Sequence, residues 1–357
     1  MSTSLLTPIQ AGDLKLANRI IMAPLTRARA GLDHLPNALL AEYYAQRASA
    51  GLILSEATMA AADGCAFTAE AGIYDEKRVE GWKLVTDAVH RAGGQIAVQI
   101  WHPGRAAHSL LNGGSQPVSS SNKAIRDDTI HTPAGKVPYE TPRPLRTDEL
   151  PGIVETFRKA AVNAKLAGFD SVQVHGAHGY LLDQFLRDSV NDRTDNYGGS
   201  IENRARLLFE VIDAVISVFG AGRTGLRISP LVPFNDISDS NPEALVRYVA
   251  EQAQLRGLAY FDLRHDQYDR PAERRLAEIA RAAYHGTLIL NGGFDQAGGE
   301  ATVAAGLADA IMYGKLFIAN PDLVERFRRS AELNTLDFST LYTPGAKGYT
   351  DYPALAA

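Results

Sequence analysis

The run His175-Gly-Ala-His-Gly-Tyr180 sets two imidazoles and a phenol within six residues. Imidazoles donate hydrogen bonds to an oxygen, and a tyrosine is a neutral acid whose unperturbed pKa is about 10. His175 ends a strand-like segment, and Gly176 and Gly179 let the backbone turn so that His178 and Tyr180 face the same opening. Paired histidines also bind zinc, but neither a His-x-x-x-His helix nor a flanking cysteine pair accompanies these, so no metal is expected. A second set follows from strand alternation. The valines of Ser171-Val-Gln-Val-His175 suit a helix-facing side, which turns Gln173 and His175 inward. The same parity turns Arg227 of Gly225-Leu-Arg-Ile-Ser229 inward, with Gln99 and Trp101 of Ala97-Val-Gln-Ile-Trp101. A buried guanidinium is costly unless it meets an anion or a ring of acceptors. A structural ion pair with Glu56 or Asp262 would serve, but a bound anionic or electron-rich ligand is the preferred reading. The third set, Asn291-Gly292-Gly293-Phe294 and Tyr313-Gly314-Lys315, offers bare backbone amides beside a cation. That suits a phosphate, while a simple turn would explain the paired glycines alone.

These groups must be positioned by a repeating framework. Short apolar β-type runs at 19–25, 52–57, 95–101, 171–176, 224–229, 260–265, 287–292 and 310–314 alternate with helical patterns. The helices fall near 38–49, 77–92, 148–167, 200–219, 242–254, 271–283, 296–305 and 321–330. Asp148, Ser200, Asn241 and Asn320 read as helix starts, and Gly168, Gly220, Gly257 and Gly306 as stops. Eight β-then-α units predict an α/β fold, a closed (β/α)8 TIM barrel spanning 1–357 as one domain. A doubly wound open sheet fits the periodicity too, but no Gly-x-Gly-x-x-Gly follows the first strand. The rhythm breaks only at 102–147, a polar Gly-, Ser- and Pro-rich insertion after strand three. Strand-like pieces at 129–132 and 136–139 flank Pro133-Ala134-Gly135, so a hairpin flap is expected as a lid over the mouth of the barrel.

Composition narrows the class. The chain has 357 residues, 45% of them hydrophobic, and its 36 basic and 41 acidic side chains leave a formal net charge of −5. That balance argues against a nucleic-acid partner. Cys65 is the single cysteine, which removes disulfide scaffolds and fits a reducing compartment. The amino terminus has no basic region followed by an apolar core, and no stretch approaches 18 uncharged apolar residues. A cytoplasmic protein with no membrane partner is therefore expected, as a monomer or dimer.

Four motifs then resemble one family. They are His175-Gly-Ala-His-Gly-Tyr180, Met22-Ala-Pro-Leu-Thr-Arg27, the long run Asp192-Arg-Thr-Asp-Asn-Tyr-Gly-Gly-Ser-Ile-Glu-Asn-Arg-Ala-Arg206 and the tail Gly348-Tyr-Thr-Asp-Tyr-Pro353. In this order they resemble the old yellow enzyme family of flavin-dependent ene-reductases, and the similarity runs from Leu5 to Leu355. Thr26 is similar to the branch containing N-ethylmaleimide, pentaerythritol tetranitrate and oxophytodienoate reductases, since the other large branch has cysteine there. The resemblance implies non-covalently bound FMN at the barrel mouth, NADPH or NADH as reductant, and a small electrophilic alkene as substrate. It implies that Pro24, Leu25 and Thr26 lie along the flavin ring, Ala57 and Gln99 at its pyrimidine edge, and Arg227 beside N1 and O2. Gly293, Gly314 and Lys315 match the phosphate end. His175 and His178 match the pair that binds the activating oxygen, Tyr180 the proton donor, and Trp101 and Tyr342 the aromatic walls. By the same resemblance, hydride passes from flavin N5 to the alkene and Tyr180 protonates the adjacent carbon. Two departures stand out. Lys315 replaces the family's usual arginine, and the segment 63–72 offers Cys65 where many relatives have a pocket tyrosine. A flavin-binding barrel without efficient turnover, and a hydrolase using Glu56 and Asp262 as a carboxylate pair, are the alternatives.

Overall fold

The computed structural model describes residues 4–356. Eight parallel strands close into a barrel: β1 (Ile20–Met22), β2 (Leu52–Met59), β3 (Ile96–Trp101), β4 (Ser171–His175), β5 (Thr224–Ile228), β6 (Tyr260–Arg264), β7 (Thr287–Asn291) and β8 (Ala310–Tyr313), with β8 pairing back onto β1. The helices packed between them are α1 (Ala38–Ala45), α2 (Glu76–Arg91), α3 (Leu150–Leu166), α4 (Arg206–Phe219), α5 (Pro242–Arg256), α6 (Pro271–Ala283), α7 (Gln296–Ala304) and α8 (Leu323–Arg329). The expected alternation holds: Val172, Val174, Leu226 and Ile228 join the helix-side core, while Gln99, Gln173 and Arg227 lie inside, each at most 3% exposed.

Several boundaries differ from expectation for local reasons. The nitrogen of Ala23 still donates to the Tyr313 carbonyl at 2.9 Å, but Pro24 has no N–H, so β1 ends at Met22 rather than at 25. Pro24, Leu25 and Thr26 thereby become a half-buried coil at the mouth. The 200–219 helix breaks at Ala205 into Ile201–Arg204 and α4. Asn320 does not start α8. It closes a short helix, Lys315–Ala319, and accepts from the Asn334 nitrogen at 2.8 Å.

A hairpin that the sequence reading left out, Ile9–Ala11 with Leu14–Leu16, plugs the opposite end of the barrel. Ala11, Leu14 and Leu16 pack there against Leu52, Leu54, Tyr260 and Ile289. Its turn needs glycine: at Gly12 φ is +57°, and a Cβ would come within 2.4 Å of the Gly222 carbonyl oxygen.

The insertion after β3 contains the expected hairpin, Thr129–Thr132 paired antiparallel with Gly135–Pro138, one residue earlier than predicted on its second side. Its base is pinned by the long motif. Arg193 donates to the Leu145 carbonyl at 2.5 Å, and Thr147 to Asp195 at 2.6 Å. The tail is clasped to the coil after β1: Arg27 donates to the Gly348 carbonyl at 2.7 Å, and Arg29 to the Thr340 carbonyl at 2.8 Å. Tyr349 stacks on Tyr43 with centroids 3.9 Å apart. Among the described residues no helix is long and apolar enough to cross a membrane.

Candidate active site

Below the mouth lies a floor of hydrogen-bonded side chains. Gln99 Nε2 donates to Gln173 Oε1 at 2.7 Å, and Gln173 Nε2 to Asp262 Oδ2 at 3.2 Å. Asp262 also takes Arg227 Nη1 in an ion pair, and Arg227 Nη2 donates to Asn291 Oδ1 at 3.0 Å. The charge of Arg227 is therefore met within the protein by Asp262, the structural ion pair weighed against the preferred reading of a bound ligand. Arg227 nevertheless keeps Nε buried and unpartnered. Glu56 is not part of this floor. Its Oε2 accepts from the Arg27 nitrogen at 3.3 Å, behind the coil that holds Thr26, and burial raises its pKa to about 7. Glu56 and Asp262 thus have separate partners, which leaves the carboxylate-pair hydrolase without a site.

Above the floor the histidine run turns sharply. Register sets His175 beside Arg227 at the ends of β4 and β5. Two of its residues lie in the left-handed region, Gly179 with φ at +71°, as expected of a glycine turn, and His178 itself with φ at +57°, a conformation that costs a non-glycine residue about 1–2 kcal/mol. Two contacts hold His178: its backbone nitrogen donates to Ser229 Oγ at 2.8 Å, and Asn235 Nδ2 donates to the His178 carbonyl at 2.8 Å. The ring centroids of His175 and His178 lie 5.4 Å apart, and those of His175 and Tyr180 5.3 Å apart. Burial, reinforced by the Arg227 charge, holds both histidines well below the ordinary imidazole range, so they are neutral donors near pH 7. Burial pushes the Tyr180 phenol up, so it stays protonated.

The walls are aromatic. Trp101 meets Tyr180 edge-on at 4.5 Å between centroids, and Phe67 lies 6.3 Å from Trp101 and 6.1 Å from Tyr342. Ala57, Ile125 and Tyr139 complete this cluster. The segment 63–72 thus contributes Phe67 to the wall, not Cys65. The thiol of Cys65 turns back to the Phe67 carbonyl at 3.4 Å, and burial pushes its pKa up. Glu70 shapes this turn by accepting from the nitrogens of Ala66 and Phe67 at 2.7 and 3.2 Å. Phe67, Ile125 and Asn235 were missed from sequence because they sit on coils, where no periodicity points at them, whereas Ser229 shares the inward parity of Arg227 in the 224–229 run and was passed over.

The residues expected at the phosphate end are open. Gly293 has φ at +75° with nothing within 4 Å of an added Cβ, and a Cβ on Gly314 would meet only side-chain carbons at 3.6 Å or beyond. Lys315 is exposed, its Nζ lying 5.4 Å from the Phe338 ring centroid. FMN fits this mouth: bare backbone lies at one end, and buried polar nitrogens without partners lie deeper in, Arg227 Nε, Trp101 Nε1 and His175 Nδ1. Such orphans cost about 1–3 kcal/mol each unless a ligand satisfies them.

Barrel, polar floor and glycine-lined rim together define a flavin oxidoreductase of the TIM-barrel class. Residues 4–334 match the NADH:flavin oxidoreductase / NADH oxidase family. The chain is 46% identical to 12-oxophytodienoate reductase 1 of Oryza sativa subsp. japonica, covering 98% of this chain and 93% of that protein. It is also 46% identical to a Leishmania infantum protein named "Probable flavin mononucleotide-dependent alkene reductase", covering 98% and 97%. The structure of morphinone reductase in complex with tetrahydroNAD superposes with a TM-score of 0.95 at 46% identity, covering 99% of this chain and 98% of that one. This chain belongs to the old yellow enzyme family of NADH:flavin oxidoreductases, and it is an FMN-dependent, NAD(P)H-oxidising enzyme.

Proposed function

We propose that this protein is an ene-reductase that saturates C=C bonds conjugated to a carbonyl, nitro or imide group, and that Tyr180 is its proton donor. The observation that carries the reading is the convergence of two neutral imidazoles and a protonated phenol on one aromatic-walled mouth. FMN, when bound, supplies what no side chain here has, a two-electron carrier that accepts hydride from the nicotinamide and passes it to carbon. His175 and His178 donate to the activating oxygen, where negative charge grows as the β-carbon gains hydride. Their depressed pKa values keep the rings neutral, so their hydrogen bonds do not titrate near pH 7. Tyr180 delivers its phenolic proton to the α-carbon and is reprotonated from solvent. Trp101, Phe67 and Tyr342 favour flat conjugated substrates. Substrates expected are α,β-unsaturated ketones and aldehydes, nitroalkenes and maleimides, and the 102–147 insertion acts as the lid of this single barrel.

The test is optical. The purified protein should be yellow, bleach anaerobically with NADPH or NADH, and regain its colour on adding 2-cyclohexenone. A protein that bleaches but is not restored by any activated alkene would be a flavin reductase without this second half.

A further inference from the structure

β6 ends in Arg264, which shares the inward parity of Asp262 two residues earlier. Its register partner is Asn291, the residue before the Gly292–Gly293 turn. The β6 exit and that turn are tied together, because the His265 nitrogen donates to the Asn291 carbonyl at 2.6 Å and the Tyr268 nitrogen to the Gly292 carbonyl at 3.0 Å. Around the rim, the ends of β6, β7 and β8 therefore present Arg264, then Gly293, then Gly314 and Lys315.

Arg264 Nη1 is buried without a hydrogen-bond partner. The carboxylates whose charge it feels are each paired with another residue, Asp262 through Oδ2 with Arg227, Asp266 with Arg270 at 2.7 Å, and Glu273 with His265 at 2.5 Å, and none of them makes a hydrogen bond to Arg264 Nη1. Burial, with repulsion from Arg227 next, lowers the Arg264 pKa to about 10, against partial compensation from Asp266, Asp262 and Glu273. Lys315 is a point charge and cannot grip two phosphate oxygens, whereas a guanidinium can.

We propose that Arg264 binds the phosphate end of FMN from the β6 side of the glycine turn, opposite Lys315, and supplies the planar fork that position 315 lacks. The proposal rests on the reading of this mouth as the flavin site. Apoprotein prepared from the holoenzyme is titrated with FMN and with riboflavin, which lacks the phosphate, by quenching of flavin fluorescence. In Arg264→Met the Kd for FMN should rise by about tenfold or more, while that for riboflavin stays within about twofold. Arg264→Lys, which keeps charge and length, should fall between wild type and Arg264→Met for FMN; its circular dichroism and thermal midpoint check the fold. Equal weakening of both flavins, unchanged FMN affinity, or a defect confined to KM for NADPH would overturn the assignment. Wild-type apoprotein that takes up neither flavin would overturn the flavin site itself, and Arg264 with it.

Discussion

Ser229→Ala removes one oxygen that touches neither substrate nor flavin in the proposed arrangement, yet it should weaken ligand binding through His178. Ser229 Oγ accepts the His178 backbone N–H at 2.8 Å, and Ser229 is fully buried, so the variant leaves a buried donor unpaired at about 1–3 kcal/mol. The left-handed backbone of His178 stores about 1–2 kcal/mol more, and only the Asn235 bond would remain to restrain it. Relaxation of the turn then costs less than holding it, and the imidazole leaves the oxygen it should bind. Taking about 1.4 kcal/mol, within the lower half of the first range, phenol affinity should drop about tenfold. The assay is charge-transfer titration with p-hydroxybenzaldehyde in wild type, Ser229→Ala, His178→Ala and the double variant. The double variant should bind no more weakly than His178→Ala alone. A Ser229→Ala penalty of equal size in both backgrounds would refute the coupling and place the effect elsewhere, for instance in the Ser229 carbonyl that Arg187 holds at 3.2 Å.

Tyr180→Phe should leave anaerobic flavin reduction by NADPH within a few-fold of wild type and slow reoxidation by 2-cyclohexenone by about 10²–10⁴-fold in stopped flow, with nitroalkenes affected less because a nitronate can take its proton from water. Glu70 is raised to about 8, chiefly by burial, so relative to the unfolded chain its stabilisation is full below about pH 4.5 and is lost as pH climbs toward 8. Glu70→Gln mimics the protonated form, so thermal melts should show it gaining on wild type between pH 5 and 9; parallel curves would contradict the buried-carboxyl account. Lys315→Ala should cost about an order of magnitude in FMN affinity and Lys315→Arg none, read by retention of colour through dialysis; an Ala variant that keeps its FMN would show that the backbone amides of the glycine turns suffice.

The barrel was legible because each β-then-α unit advertises its own period, and the inward Gln99, Gln173 and Arg227 followed from parity alone. Parity carried through β6 would also have exposed Arg264 beside Asp262, a step the same rule permits. What sequence could not rank was the fate of the Arg227 charge, since Glu56 and Asp262 look equivalent until the bulge between Leu54 and Ala57 and the turn of the coil after β1 settle which carboxylate faces in. Coil residues were the blind spot. Phe67 and Cys65 are two positions apart, and only the carbonyl and carboxylate partners of the 65–70 turn decide which one reaches the wall. The longest motif, 192–206, drew attention as a signature, but the side chains of Arg193 and Asp195 fasten the base of the insertion and Arg204 holds the Leu186 carbonyl beyond β4.

The clasp on Arg27 joins residues 321 positions apart. A ribosome that has just finished Arg27 has made the coil after β1 but none of the tail carbonyls that anchor it. At about 5–20 residues per second those carbonyls arrive on the order of 15–60 s later. The clasp is thus one of the last contacts each molecule can form, after nearly all of the barrel has been synthesised. Fragments released before residue 348 therefore lack the Arg27 anchor and leave the coil after β1 unclasped.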